Sequence, residues 1–151
     1  MSLELSHPHS SLLGTLADFR HELRRFLHFS EGSALAAGLQ PQQHQLLLQV
    51  AGAPQGTPVT IAYAAARLGL KHNSAVELVD RSEREGLLIR SPDPNDKRRA
   101  ILCVTRKGRQ VLDSLSGDHA RELNEMAPRL IQALEQVRSH SAVATRGGVA
   151  Q

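Results

Sequence analysis

The chain has 151 residues, 40% of them hydrophobic, and a formal net charge of +3, which is the size and composition of one soluble domain. No apolar run reaches membrane-spanning length, the opening residues MSLELSHPHSS lack the apolar core of a signal peptide, and a single cysteine excludes an intrachain disulfide. A cytoplasmic protein with no membrane contact is expected.

In chain order, residues 1–9 lack periodicity and read as a loose tail. Leu12, Leu16, Phe19, Leu23 and Phe26 recur at spacings of four and three, predicting a long helix over about 10–38 that Gly38 stops. PQQHQLLLQVAG predicts a second helix, with Pro41 in its first turn, Gly52 near its end and Gln40 as a weak cap. APQGTP is a loop, and Val59 is placed to add a short third strand beside the hairpin described below. Thr60 caps a short helix through Arg67, Gly69 supplies a turn, and another helix runs from about His72 to Glu85 before Gly86 ends it. Two helices joined by a glycine turn suggest a helix-turn-helix. On the second of them Ala75, Leu78, Val79 and Ser82 share one face, leaving Asn73, Ser74, Glu77, Arg81 and Arg84 on the other, a row of hydrogen-bonding groups at groove-reading spacing.

LLIRSPDPNDKRRAILCVT then sets two short apolar runs, Leu87 to Ser91 and Ala100 to Val104, on either side of a Pro/Asp/Asn turn carrying Lys97, Arg98 and Arg99. This is a β-hairpin with a cationic tip. From Arg67 to Arg109 there are eleven Lys/Arg and six Asp/Glu, a net of +5, against −2 for the remaining residues, so the basic excess is local as a footprint for phosphates requires. Leu112, Leu115, His119, Leu123, Met126, Leu130, Leu134 and Val137 form a second long apolar stripe. With the middle of the chain committed to the helix-turn-helix lobe, the two terminal stripes are expected to meet a second copy. Pro128 removes the hydrogen bond to the Asn124 carbonyl, predicting a kink or break there, or the start of a separate helix.

No Gly-rich phosphate loop, nucleophile elbow or fixed acid pair points to catalysis, so an enzyme is not expected. The eight histidines show no CxxC or HExxH spacing. Neither a metal nor another cofactor is expected, and His7, His9 and His140 read as solvated.

LGLKHNSAVELVDRSEREGLLIR and DPNDKRRAILCVTRKG resemble the recognition helix, wing and following helix of the multiple-antibiotic-resistance regulator (MarR) family of winged-helix transcription factors, with its Asp-x-Arg signature on Asp96 and Arg98. The resemblance covers about Leu12 to Val137. It implies a mainly α fold with a small β wing: one domain over 10–140, a winged helix-turn-helix lobe at about 53–105, dimerisation helices at about 10–38 and 106–140, and a loose tail over 141–151. It further implies a homodimer on double-stranded DNA, with Lys71, Asn73, Ser74, Glu77, Arg81, Arg84, Lys97, Arg98 and Arg99 at the interface. Arg98 would enter the minor groove and Asp96 would brace the wing. A pocket for a small aromatic or lipophilic effector would lie where the first, second and fifth helices meet, lined by His28, Phe29, His44 and Leu47. The implied function is a transcriptional repressor released from a pseudo-palindromic operator by a ligand; the alternative is a winged-helix module that binds protein instead.

Several residues depart from the family pattern. Lys71 and His72 are poor caps, which leaves Asn73 as a substitute. Ser82 stands where Leu is usual, so that either the helix packs less tightly against its neighbours or the hydroxyl bonds back to a carbonyl one turn earlier. Glu77 is expected to orient Arg81 by an i,i+4 pair, or else to accept from a cytosine amine. Cys103, in a wing strand and away from the first helix, where the peroxide-sensing branch carries its thiol, is expected to be a small packing residue.

Overall fold

The computed structural model describes residues 10–146, with side chains over 12–141; of the tails expected over 1–9 and 141–151, residues 1–9, with His7 and His9, and 147–151 lie outside the described residues, while 141–146 are helical and correct the second expectation. Seven elements follow in order: α1 Ser10–Ala36, α2 Pro41–Ala51, α3 Ile61–Leu68, α4 His72–Arg84, β1 Leu88–Pro92, β2 Ala100–Val104 and α5 Arg106–Arg146. This is the mainly helical architecture with a small β wing that the sequence predicts. The chain divides into two units, residues 30–118 and residues up to 29 together with those from 119 onward.

In the 30–118 unit, α2, α3, α4, the hairpin and the start of α5 enclose Leu46, Leu47, Val79, Leu87, Leu88, Leu102 and Leu112. Each such side chain taken fully from water contributes about 1.5–3 kcal/mol. Local chemistry sets the element ends. Gln40 is a poor cap by itself, but its backbone N–H donates to Gln43 Oε1 at 3.0 Å, so the first turn of α2 supplies the missing partner. Gln43 is itself buried, and its amide donates to Glu85 Oε2 at 2.9 Å, tying the start of α2 to the end of α4. Thr60 Oγ1 accepts from the Tyr63 N–H at 3.1 Å and starts α3 as expected. Lys71 occupies the cap position of α4 without a side-chain bond, so Asn73 does not serve as the cap. Ser82, fully buried, donates to the Leu78 carbonyl at 2.8 Å and thereby satisfies the hydroxyl that replaces an apolar side chain.

The hairpin pairs Leu88 with Val104 and Pro92 with Ala100, one residue later on its first strand than expected, and leaves 93–99 as the loop. Val59 does not form a third strand. Its carbonyl accepts a single bond from the Leu102 N–H at 2.8 Å, and the next bond inward, from Thr60 N–H to the Pro58 carbonyl, turns the chain into α3 instead. Cys103 pairs with Ile89 on the outer face of the hairpin and is exposed, so it is not the packing residue expected; Leu88 and Leu102 take the inner face.

The junction of α4, β1 and α5 has the tightest backbone approach. Gly86 leaves α4 at φ +72°, and Thr105 Oγ1 donates to its carbonyl while accepting from the Gly108 N–H at 3.1 Å. The Thr105 N–H donates to the Leu87 carbonyl at 3.0 Å, and a Cβ on Gly108 would stand 2.1 Å from that same oxygen. No side chain fits there.

In the other unit, α1 and α5 run antiparallel. Thr15 Oγ1 donates to Gln136 Oε1 at 2.8 Å, Glu22 meets Arg129 at 3.1 Å, and the Phe26 ring stands edge-on to His119 at 5.8 Å. Such a pair has an approximate two-fold axis normal to its layer, which keeps the two sides matched. Residues one step after the inward positions, Leu16, Leu23 and Leu27 on α1 and Leu134 on α5, are therefore on one side, and all are exposed. Residues one step before, His21 and Gln132, are on the other. The uniform stripes read from sequence thus split into a buried seam and an uncovered apolar side. α5 passes Pro128 without a break and continues to Arg146, six residues past its expected end at His140. Pro128 is exposed, so the carbonyl it leaves unbonded one turn earlier borders solvent. No helix among the described residues is long and apolar enough to cross a membrane.

Gly108→Ala is expected to lower stability by about 1–3 kcal/mol through overpacking at the Leu87 carbonyl. Gly14→Ala, in open space on α1, should raise it by about 0.5–1 kcal/mol through helix propensity. Denaturant titration of the two variants checks the pair.

Candidate nucleic-acid interface

α4 turns Ala75, Leu78, Val79 and Ser82 into the core and leaves Lys71, Asn73, Ser74, Glu77, Arg81 and Arg84 exposed. The helix therefore has the two faces its spacing predicts. No ion pair joins Glu77 to Arg81, contrary to expectation, although the two stand one turn apart. Two other acids on α4 are the ones engaged. Arg90, on the inner face of β1 beside Leu102, reaches back to Asp80 and to Glu83, the latter at 3.2 Å. One guanidinium thus straps the hairpin to the helix through two carboxylates and offsets one of their two charges. Sequence reasoning missed Arg90, whose only signal is a charged residue at an inward position of an otherwise apolar strand.

At the hairpin tip, Asp93 closes the loop. It is buried, its Oδ1 accepts from the Asn95 N–H at 2.9 Å, and its Oδ2 takes Arg99 Nε at 2.5 Å. Arg99, expected as a phosphate contact, is engaged in this internal pair. Asp96 Oδ1 accepts from the backbone N–H of Arg98 at 3.0 Å and from its Nε at 3.2 Å. The Asp96 carboxylate so orients the Arg98 stem while the side chain stays 91% exposed. Lys97 projects into solvent, and Lys107 Nζ donates to the Glu85 carbonyl at 2.8 Å. The Asn95 N–H first, then Arg99, hold the Asp93 carboxyl below its ordinary value; the Arg98 N–H and side chain do the same for Asp96.

The four residues expected to line an effector pocket fall in different surroundings. His44 and Leu47 are buried on α2 in the 30–118 unit; on α1, His28 is exposed, and the half-buried Phe29 stands edge-on to His119 at 5.5 Å. No group of three or more His, Cys, Asp or Glu able to hold a metal ion occurs among the described residues.

A MarR family model matches residues 37–99, from the turn after α1 through the wing tip. A Thauera aromatica protein named for transcriptional regulation of the hcr operon is 27% identical over 127 residues, covering 83% of this chain and 75% of its own length. The crystal structure of a MarR family transcription regulator superposes with a TM-score of 0.71 at 20% identity, over 92% of this chain and 96% of that one. Over residues 37–99 the chain is similar to the MarR family. CouR of Rhodococcus jostii RHA1, bound to p-coumaroyl-CoA, shares the fold with this chain at a TM-score of 0.63 and 22% identity over 99% of both chains. CouR bound to a 23-mer DNA duplex does so at 0.61 and 24%, over 85% of this chain and 88% of that one.

Because their folded values are lowered, Asp93 and Asp96 contribute stability that is fully present above about pH 3.9, the ordinary aspartate value, and lost as pH falls through the lowered values. Carboxyl-carbon NMR titration should place both midpoints below that value. In Arg99→Ala the Asp93 midpoint should rise yet stay depressed, since the Asn95 N–H remains.

Proposed function

We propose that the protein is a homodimeric repressor that binds a pseudo-palindromic operator and is released by a small-molecule ligand. The observation that carries the DNA reading is the exposed polar row of α4 beside a strapped hairpin whose tip presents Arg98 almost fully to solvent. Recognition helices of a dimer one helical turn apart, roughly 34 Å, would enter successive major grooves, with the wings in the flanking minor grooves. Asn73 and Ser74 read base edges, and Glu77, lacking an internal partner, is free to accept from a cytosine amine. Lys71, Arg81, Arg84 and Lys97 meet phosphates, Arg98 enters the minor groove, and Arg99 acts by holding the wing closed. The exposed side formed by Leu16, Leu23, Leu27 and Leu134 supports dimerisation through the terminal helices, because a contiguous apolar surface of this kind is costly to leave in water. The CouR structures, one with DNA and one with an acyl-CoA, support a regulator whose fold accommodates both kinds of partner. His28, Phe29, His44 and Leu47 remain the proposed effector contacts, with an aromatic or lipophilic ligand.

Selection of bound sequences from random duplexes tests the reading: it should return two half-sites about ten base pairs apart, centre to centre. On that operator, Arg98→Ala should weaken binding by about 1–3 kcal/mol and flatten the salt slope by about one unit, with dimer and melting temperature unchanged. Fluorescence anisotropy against salt concentration reads both. Recovery of no preferred sequence, with no salt-dependent binding to any duplex, would instead favour a protein-binding module.

A further inference from the structure

One apolar side chain on α4 has no place in the core. Ala75, Leu78 and Val79 are buried, whereas Val76 beside them is half-buried and is not among the partly buried hydrophobic residues that pack against the core of the lobe. A step of three residues turns a helix by about 60°, so Val76 stands between the exposed Asn73 and the buried Val79, on the border of the polar face. Valine is also among the weaker helix formers, because its branched Cβ crowds the preceding turn. Neither packing nor helix propensity accounts for it. A local choice that lowers stability with no packing gain marks a functional position.

We infer that Val76 reads the C5-methyl group of a thymine in each half-site, next to the base pair met by Asn73; this rests on the DNA reading above and names a base which that reading leaves open. Thymine alone among the four bases presents a methyl group in the major groove. The Val76 side chain has two methyl groups and no donor or acceptor. It therefore gains by covering that methyl and loses by covering cytosine, whose N4 amine would be left without an acceptor. Val76 lies three residues after Asn73, about 4.5 Å along the helix axis, against about 3.4 Å between successive bases of a strand. The two side chains thus meet neighbouring base pairs. Both belong to the first half of α4, the end of a recognition helix that reaches base edges. Asparagine pairs bidentately with adenine N6 and N7, so the half-site carries adjacent A·T pairs, one read by hydrogen bonds and one by methyl contact.

Deoxyuridine differs from thymidine only in lacking that methyl group. Fluorescence anisotropy of the full chain on its selected operator tests the contact, with the thymines of one half-site replaced one at a time by deoxyuridine. One position should weaken binding by about three- to fivefold, the loss appropriate to one methyl group returned to water. Val76→Ala should bind the unmodified operator more weakly and show no further loss at that position, with its melting temperature unchanged. Arg98→Ala, altered in the wing, should keep the full uridine effect. A uridine effect that persists undiminished in Val76→Ala, with a lowered melting temperature, would assign the side chain to packing and overturn the inference. So would operator binding that is indifferent to every thymine methyl. Failure of the native chain to bind any duplex would be a different result: it would end the DNA reading itself, and the role of Val76 with it.

Discussion

The approach of the Gly108 backbone to the Leu87 carbonyl is the constraint on which the winged lobe depends. With no side chain at 108, the first turn of α5 closes on the strand that leaves α4, and Thr105 links the Gly86 carbonyl to the Gly108 N–H. Helix, hairpin and second helix are thereby fixed at one point by bonds among backbone groups. The Arg90 strap to Asp80 and Glu83 fixes them at another. Two separated attachments restrict the freedom of the wing to pivot on α4, which the proposed fit to a rigid duplex requires.

Pairing also redistributes the charge. The net excess of the 67–109 stretch is a sum over groups with different roles: Arg90 and Arg99 are paired with acids of the lobe itself, whereas Lys107, bonded to a neutral carbonyl, keeps its charge. Lys71, Arg81, Arg84 and Lys97 make no ion pair among the described residues. The outward field is therefore set by fewer cations than the composition suggests, concentrated on one helix face and one loop tip. Exposed ion pairs of this sort are worth little energy singly; their effect here is to orient.

Local signals were enough to read the helices, the hairpin and the inward face of α4, because apolar period, turn residues and caps act over a few positions. Arg99 shows where that reading stops. Nothing near it distinguishes a phosphate contact from a partner for Asp93, six residues earlier, since the choice is made by a loop that brings the two together. The Glu22–Arg129 pair is illegible in the sequence for a similar reason: its members lie more than a hundred residues apart on different helices. Pro128 and Val59 were misjudged differently, with a strong local rule applied where solvent, in one case, and the turn into α3, in the other, removed its force. The MarR resemblance supplied the architecture that joins these elements, and side-chain pairing within it became visible only in three dimensions.

The exposed thiol of Cys103 sits on the outer surface of the wing, and the chain has no other cysteine. A maleimide spin label or dye would consequently attach at one defined place per subunit, away from the inner face that anchors the hairpin. In an assembly of two chains, that gives a ready-made molecular ruler: the spacing between paired labels would report wing separation directly, free and on DNA, without engineering any residue.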